Sequence, residues 1–396
     1  MKYTRLLSLC CLLCFSGRLL AEQDVSEWYV GGFITQGLVA TDNNNYAGKS
    51  SEGISSDFRE LAVYATWRPL SNMHFSGQIM SRPFGNVDDG APQLDYLLAD
   101  YRFATGGFNE FGIRVGRVKW PYGFYNETRD VSFTRPSIIL PQSIYYDQTR
   151  DFQLSAAGVM AYGYFPISDL RIDVDLVIGK PRASTHAEYA YLRSDFSGSF
   201  TDSHGVISRI MLADATETWR LGITLGRFDL RYQPGSLGEL GLREGDLDVD
   251  VAVASGQYNT ESWSLVAEYM VLRIDRSDLG GAFEVYGKNN SESYYLQAMY
   301  RFNRDWDLLI RRDVFYLDRN DRSGFKAEQL MGLPAHSMWA KDYTIGLGWQ
   351  ASQNISFRAE WHHVQGSAWV PAQDNPDIGS IKKNWNMYLL QATYRF

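Results

Sequence analysis

The stretch Leu170-Arg171-Ile172-Asp173-Val174-Asp175-Leu176-Val177-Ile178 decides the fold. Its even positions are all aliphatic, while Arg171, Asp173 and Asp175 share the opposite side. A period of two belongs to a β-strand with one wet and one dry face, because successive side chains point to opposite sides of the pleat. The same alternation runs through Trp219–Leu225, Asp246–Val253, Tyr343–Trp349 and Ile355–Trp361, and no stretch of comparable length carries a helical stripe. The chain reads as all-β.

Two architectures share this pattern. A soluble sandwich buries its apolar faces against each other, whereas a membrane barrel turns them to lipid and lines its lumen with the charged face. Tryptophan placement favours the barrel, because interfacial girdles put aromatic residues near strand ends. Trp28, Trp67, Trp219, Trp263, Trp306, Trp349, Trp361 and Trp385 each fall at or beside a predicted strand end. A motif also recurs at Tyr96–Phe103, Tyr295–Phe302 and Leu389–Phe396, sharing Leu-x-Ala-x-Tyr-Arg-Phe. On a strand it turns Leu, Ala, Tyr and Phe to lipid and the Arg to the lumen.

Turn residues allow a count. Short turns are expected at Arg68–Asn72, Thr105–Asn109, Phe165–Asp169, Ala213–Glu217, Tyr258–Glu261, Phe302–Asp305 and Ala351–Asn354. Long polar connections separate them near 41–56, 83–93, 120–150, 180–204, 232–245, 276–291, 318–340 and 366–383. Seven short turns alternating with eight long loops require 16 strands, so the expected fold is an antiparallel transmembrane β-barrel with all long loops at one end.

The ends and the composition agree. Lys2 and Arg5, the apolar run Leu6–Phe15 and Ala21 before Glu22-Gln23-Asp24 read as a secretory leader over 1–21, leaving 22–396 as one barrel domain. All three cysteines, Cys10, Cys11 and Cys14, lie in that leader, and neither Cys10 nor Cys14 follows the small residue that a lipoprotein signal needs. Without the leader the chain carries 35 basic and 46 acidic residues, a formal charge of −11, which argues against nucleic acid as a partner. No run of about 18 apolar residues follows, which excludes a spanning helix but not spanning strands.

These features together resemble a 16-stranded outer-membrane porin of Gram-negative bacteria, and the resemblance covers essentially the whole mature chain. It implies a water-filled channel for passive diffusion of small hydrophilic solutes and ions, without a cofactor or metal. It further implies a homotrimer set among outer-membrane lipid and lipopolysaccharide. In that family the barrel-assembly machinery reads a C-terminal strand ending in Phe, here Tyr388, Leu390, Ala392, Tyr394 and Phe396. Gly116-Arg-Val-Lys-Trp-Pro-Tyr-Gly123 is locally similar to phosphate- and polyphosphate-selective porins, over too short a stretch to carry a substrate.

The resemblance also implies that the third long loop, 119–150, folds inward and narrows the lumen. Its apolar content, Ile138-Ile139-Leu140 and Tyr145-Tyr146, prefers a covered site, against the inner wall or against a neighbouring protomer. Its candidate constriction residues are Lys119, Glu127, Arg129, Asp130, Arg135 and Asp147. Strand parity adds Arg114, Arg171, Asp173, Asp175, Arg220, Asp248, Asp250, Glu268, Asp307, Arg311, Arg358 and Glu360 as lumen residues. Parity slips after Gly116 and Gly226, so bulges are expected there that return Arg117 and Arg227 inward. Arg312 faces lipid by simple alternation and needs either a headgroup-level position or a bulge of its own. His362 faces the lumen and His363 lipid, so their adjacency does not make a metal site. The remaining readings are a non-conducting barrel that binds through its outer loops, as an adhesin or receptor, and a barrel hydrolase. None of the six histidines stands in a recognisable catalytic motif.

Overall fold

The computed structural model describes residues 26–103, 109–182, 185–192, 198–235, 241–281, 283 and 287–396. The leader expected over 1–21 lies outside these residues, as does most of the turn expected at 105–109.

The strands in chain order are β1 Glu27–Thr41, β2 Ser55–Leu70, β3 Met73–Ser81, β4 Gln93–Phe103, β5 Glu110–Lys119, β6 Ser155–Ile167, β7 Leu170–Pro181 and β8 Ser199–Asp214. There follow β9 Trp219–Gln233, β10 Gly245–Asn259, β11 Trp263–Ser277, β12 Lys288–Arg301, β13 Trp306–Tyr316, β14 Trp339–Gln350, β15 Ile355–Gly366 and β16 Asn384–Arg395. Each pairs antiparallel with its neighbours in sequence, and β16 closes on β1 through Phe33↔Arg395 to Thr41↔Met387. The fold is therefore a closed barrel of 16 strands. Pro83–Phe84 and Asp88–Asp89 add a two-rung ladder inside the second long loop. The long loops span 42–54, 82–92, 120–154, 182–198, 234–244, 278–287, 317–338 and 367–383, each overlapping the stretch its turn chemistry marks.

Closure removes sheet edges, so backbone groups are satisfied and the outer face can be apolar. It is: Ile34, Leu97, Val115, Ile178, Ile210, Ile223, Leu296, Ile310 and Leu390 are each more than half exposed on the outside. A continuous apolar belt of that kind would be untenable in water and suits hydrocarbon. At the short-turn end the belt meets aromatic stacks, Trp28 on Trp67 with ring centres 5.4 Å apart and Trp306 on Trp349 at 5.4 Å. Trp385 departs from the expectation: it is 1% exposed, inside the barrel, with its ring 5.2 Å from Trp369 of the last loop. The parity of β16 puts it with Met387 and Leu389, on the face opposite Tyr388 and Leu390.

The recurring motif has a local structural reason. Each of its arginines reaches back to a carbonyl of a short turn: Arg102 Nη2 donates to Ser71 at 2.9 Å, Arg301 Nη2 to Thr260 at 2.6 Å, and Arg395 Nε to Gln353 at 2.6 Å. Meanwhile Tyr101, Phe103, Phe302, Tyr394 and Phe396 stand exposed on the outside. One strand end thus anchors the barrel in its girdle and clips the adjacent hairpin.

Candidate functional site

The third loop, 120–154, occupies the lumen, and its buried residues are held by the wall on several sides. Toward β10–β12 the anchor is Glu268, whose carboxylate accepts from Ser255 Oγ at 2.6 Å, Tyr145 Oη at 2.6 Å, Tyr295 Oη at 2.8 Å and the Phe124 amide at 3.0 Å. Gly123 must be glycine here: its φ is +57°, and a Cβ would stand 2.5 Å from Tyr145 Oη and 2.7 Å from Glu268 Oε1. Toward β13–β15, residues 136–143 are strapped down. The Ile138 amide donates to Glu360 at 2.7 Å, Arg311 to Ser137 Oγ at 2.9 Å and the Ile139 carbonyl at 3.0 Å, and Arg358 to the Pro136 carbonyl at 2.6 Å. Toward β1, Thr35 Oγ1 bonds Ser132 Oγ at 2.8 Å, and the Phe133 ring meets Phe33 edge-on at 5.8 Å.

The remaining side is ionic. Arg135 makes two bonds to Glu60 of β2, at 2.8 and 2.5 Å, and Arg82 lies 3.4 Å from both Glu60 and Asp147. Arg129 pairs with Asp147 at 3.3 Å, Arg150 pairs with Asp130, and Lys119 bridges Asp95 at 2.5 Å and Asp130 at 3.0 Å. Burial, with the guanidiniums of Arg82 and Arg129 close by, pulls Arg150 well below the ordinary arginine value, while Glu60 and Asp95 oppose that. Opposite charges this closely matched cost little net free energy together, but removing one leaves its partner buried and unpaired, at about 3–5 kcal/mol.

The candidate residues therefore divide. Arg129, Asp130 and Arg135 are less than a tenth exposed, and with Asp147 and Lys119 they are consumed in anchoring the loop. Glu127 joins Asp175 around Arg209, each at 2.7 Å. Arg114 bonds Asp100 at 2.8 Å and lies over the Tyr162 ring, Arg171 pairs with Asp173 and Glu217, and Arg358 pairs with Asp307 at 3.0 Å. Arg220 is half-buried, over the Phe124 ring and near Gln257. Glu360 and Asp342 flank His362, which is 1% exposed, whereas His363 bonds Asn386, which shares the outward parity of Tyr388. Glu60, Arg82, Asp95 and Arg209 were not singled out in the sequence. Asp95 acts through a register shift between Gln78 and Ile79, visible in sequence only as the three-residue step from Leu94 to Leu97.

Asp248 and Asp250 do not line the lumen. Leu247, Val249, Val251 and Val253 take the inner positions, packed in the cluster around Trp120, Phe152 and Phe228. The aspartates stand outside, 3.4 and 3.7 Å from Arg227, which is also outside and continues the row of Leu221, Ile223 and Leu225. The expected bulge after Gly226 is absent, because both ladders of β9 run unbroken across it. The physical reason is that loop 3 and the helix Thr185–Leu192 fill the lumen at this height, so the inner wall is the apolar one. No register shift follows Gly116 either; that glycine takes φ +127°, and Arg117 Nε donates to the Asp95 carbonyl at 3.2 Å. Arg312 faces outward without a bulge, its guanidinium 3.7 Å from the centre of the Tyr343 ring. No cysteine follows Cys14 in the sequence, so the outer placement is directly testable. Asp250→Cys is expected to react with a bulky water-soluble maleimide in the folded barrel without changing ion conductance; a conductance drop on labelling would return Asp250 to the pore.

No protein-family model and no curated protein matches the chain. Solved structures do. An anion-selective porin from Comamonas acidovorans aligns at TM-score 0.57 and 12% identity, covering 94% of this chain and 100% of that one. The outer membrane channel DcaP of Acinetobacter baumannii aligns at 0.56 and 9% identity, covering 95% and 99%. The trimer form of OmpT, an outer membrane protein of Vibrio cholerae, aligns at 0.55 and 9% identity, covering 94% and 100%. At these identities the likeness establishes the shared barrel fold over 94–95% of the chain.

Proposed function

We propose that this chain is an outer-membrane porin of a Gram-negative bacterium: a water-filled channel through which small hydrophilic solutes and ions diffuse passively, with no cofactor. The observation that carries the reading is loop 3, bonded to the inner wall at Glu268, Glu360, Thr35 and Glu60 while the outer wall is an apolar belt. A loop fixed on so many sides sets a size limit rather than a lid. The short-turn end then faces the periplasm, and the long loops face outward among lipopolysaccharide. The trimer form of a structurally similar protein supports a homotrimer, and the exposed row Tyr388, Leu390, Tyr394 and Phe396 suits recognition by the assembly machinery. A cleaved leader over 1–21 completes the export route.

One observation favours a second reading. The long-loop half of the lumen holds two apolar clusters, one around Trp120, Phe152 and Phe228, the other around Tyr46, Phe84, Trp369 and Trp385. A barrel so filled could act by binding through its loops without conducting. Swelling of proteoliposomes separates the two: the porin admits small sugars at rates that fall steeply with solute size, whereas a loop-binding barrel gives no swelling with any solute.

A further inference from the structure

We infer that the lumen prefers anions, an inference that rests on the porin reading. The preference follows from which charges the fold leaves both without an ion pair and open to the lumen. The charges of loop 3 are paired, Glu127 sharing Arg209 with Asp175, and on the wall toward the short turns Arg114 and Arg358 each have a carboxylate and Arg171 has two. Arg220, Arg301 and Arg395 do not: among the described residues they form no ion pair, and they contact only Gln257, backbone carbonyls and aromatic rings. Strand parity turns all three inward, with Thr224, Gln297 and Thr393 on the same faces.

Their placement gives the excess an effect. Arg220 lies over Phe124 and Arg395 over Phe133, at 5.3 and 5.2 Å from the ring centres, so both sit against the underside of loop 3. Arg301 lines a cavity of about 180 Å³ with Phe133, where Arg135, Arg304 and Arg358 join it against Asp305 and Asp307, a cationic excess in a space large enough for a small anion such as chloride or a carboxylate. The wall carboxylates at this level, Glu110, Asp173 and Asp307, are all taken by arginines. Glu268 and Asp313 also lack an ion pair but are 2% and 3% exposed, closed off beneath loop 3 by the Phe124 and Ser143 amides; among the described residues the open acids without one at this end are Asp169, Glu261 and Asp305 of the short turns and Asp214 at the end of β8. Unpaired cations beside a low-dielectric constriction raise the local concentration of anions. The net negative charge of the whole chain predicts the opposite preference and is the wrong quantity, because it counts outer loops and the exterior Asp248 and Asp250.

The test is the reversal potential of refolded protein in a planar bilayer under a KCl gradient near 0.1 M, where screening extends only about 10 Å. Chloride is expected to permeate at least about twofold better than potassium, and Arg220→Gln/Arg301→Gln/Arg395→Gln to bring the ratio to about one or below. Two of these side chains clip turns. If the triple variant does not refold, Arg220→Gln alone, which clips none, must still shift the potential toward potassium. Potassium preference in the natural sequence, or a ratio unmoved by these substitutions, overturns the inference. Absence of conductance would instead overturn the porin reading.

Discussion

Glu268→Leu is expected to free loop 3 from the wall of β10–β12, raising single-channel conductance and the solute size limit while lowering thermal stability. Leucine has about the right volume but accepts nothing, so Ser255, Tyr145, Tyr295 and the Phe124 amide all lose their acceptor. Each buried donor left without a partner costs about 1–3 kcal/mol, and water entering the widened lumen offsets part of that, leaving a loss on the order of 4 kcal/mol. Glu268→Gln keeps two acceptor lone pairs and is expected to fall between the two. Conductance and melting measured on the same refolded samples read both effects. An unchanged conductance with a lowered melting temperature would mean that the strap at 136–143 alone holds the constriction.

Closure of the barrel at its last residue is the second large effect. The Gly32 amide donates to the Phe396 carbonyl and the Phe396 amide to the Gly32 carbonyl, each at 3.0 Å. The Phe396 ring lies where a side chain on residue 32 would be, since a Cβ there would stand 2.6 Å from that ring and 2.6 Å from the Ala62 carbonyl. Deleting Phe396 removes both bonds, about 1 kcal/mol each, together with the terminal aromatic anchor, so folded protein in the membrane is expected to fall by about tenfold or more. Gly32→Val leaves the C-terminal sequence intact and disturbs only its seat. It is expected to insert but to unfold at lower temperature on heat-modifiable gel migration. If Gly32→Val fails to insert at all, closure rather than the terminal residue itself limits assembly.

The strand number was legible because turn chemistry and period-two alternation are local. Asn303 shows why: its side chain caps the Asp305 and Trp306 amides within the turn, so the signal and the structure occupy the same few residues. The site was legible only in part, because parity says that two faces differ but not what each one meets. For Leu170–Ile178 the aspartate face meets the lumen, and Asp175 is buried there against Arg209. For Asp246–Val253 the same pattern has the opposite sense, because loop 3 supplies an apolar filling that reverses which side must be dry. Trp385 is inward for a comparable reason, against Trp369 of the last loop. Glu60 and Arg135 illustrate the rest: they are 75 residues apart in sequence, and nothing local in either announces the other.

Single-channel recording of refolded protein in planar bilayers tests most directly whether the barrel is a pore narrowed by a fixed loop. Discrete conductance steps are expected that persist in the open state with little dependence on voltage at moderate potentials, with larger steps for Glu268→Leu. Folded, heat-modifiable barrel that inserts into the bilayer yet gives no steps at any voltage, in either the natural sequence or Glu268→Leu, would contradict the narrowed pore.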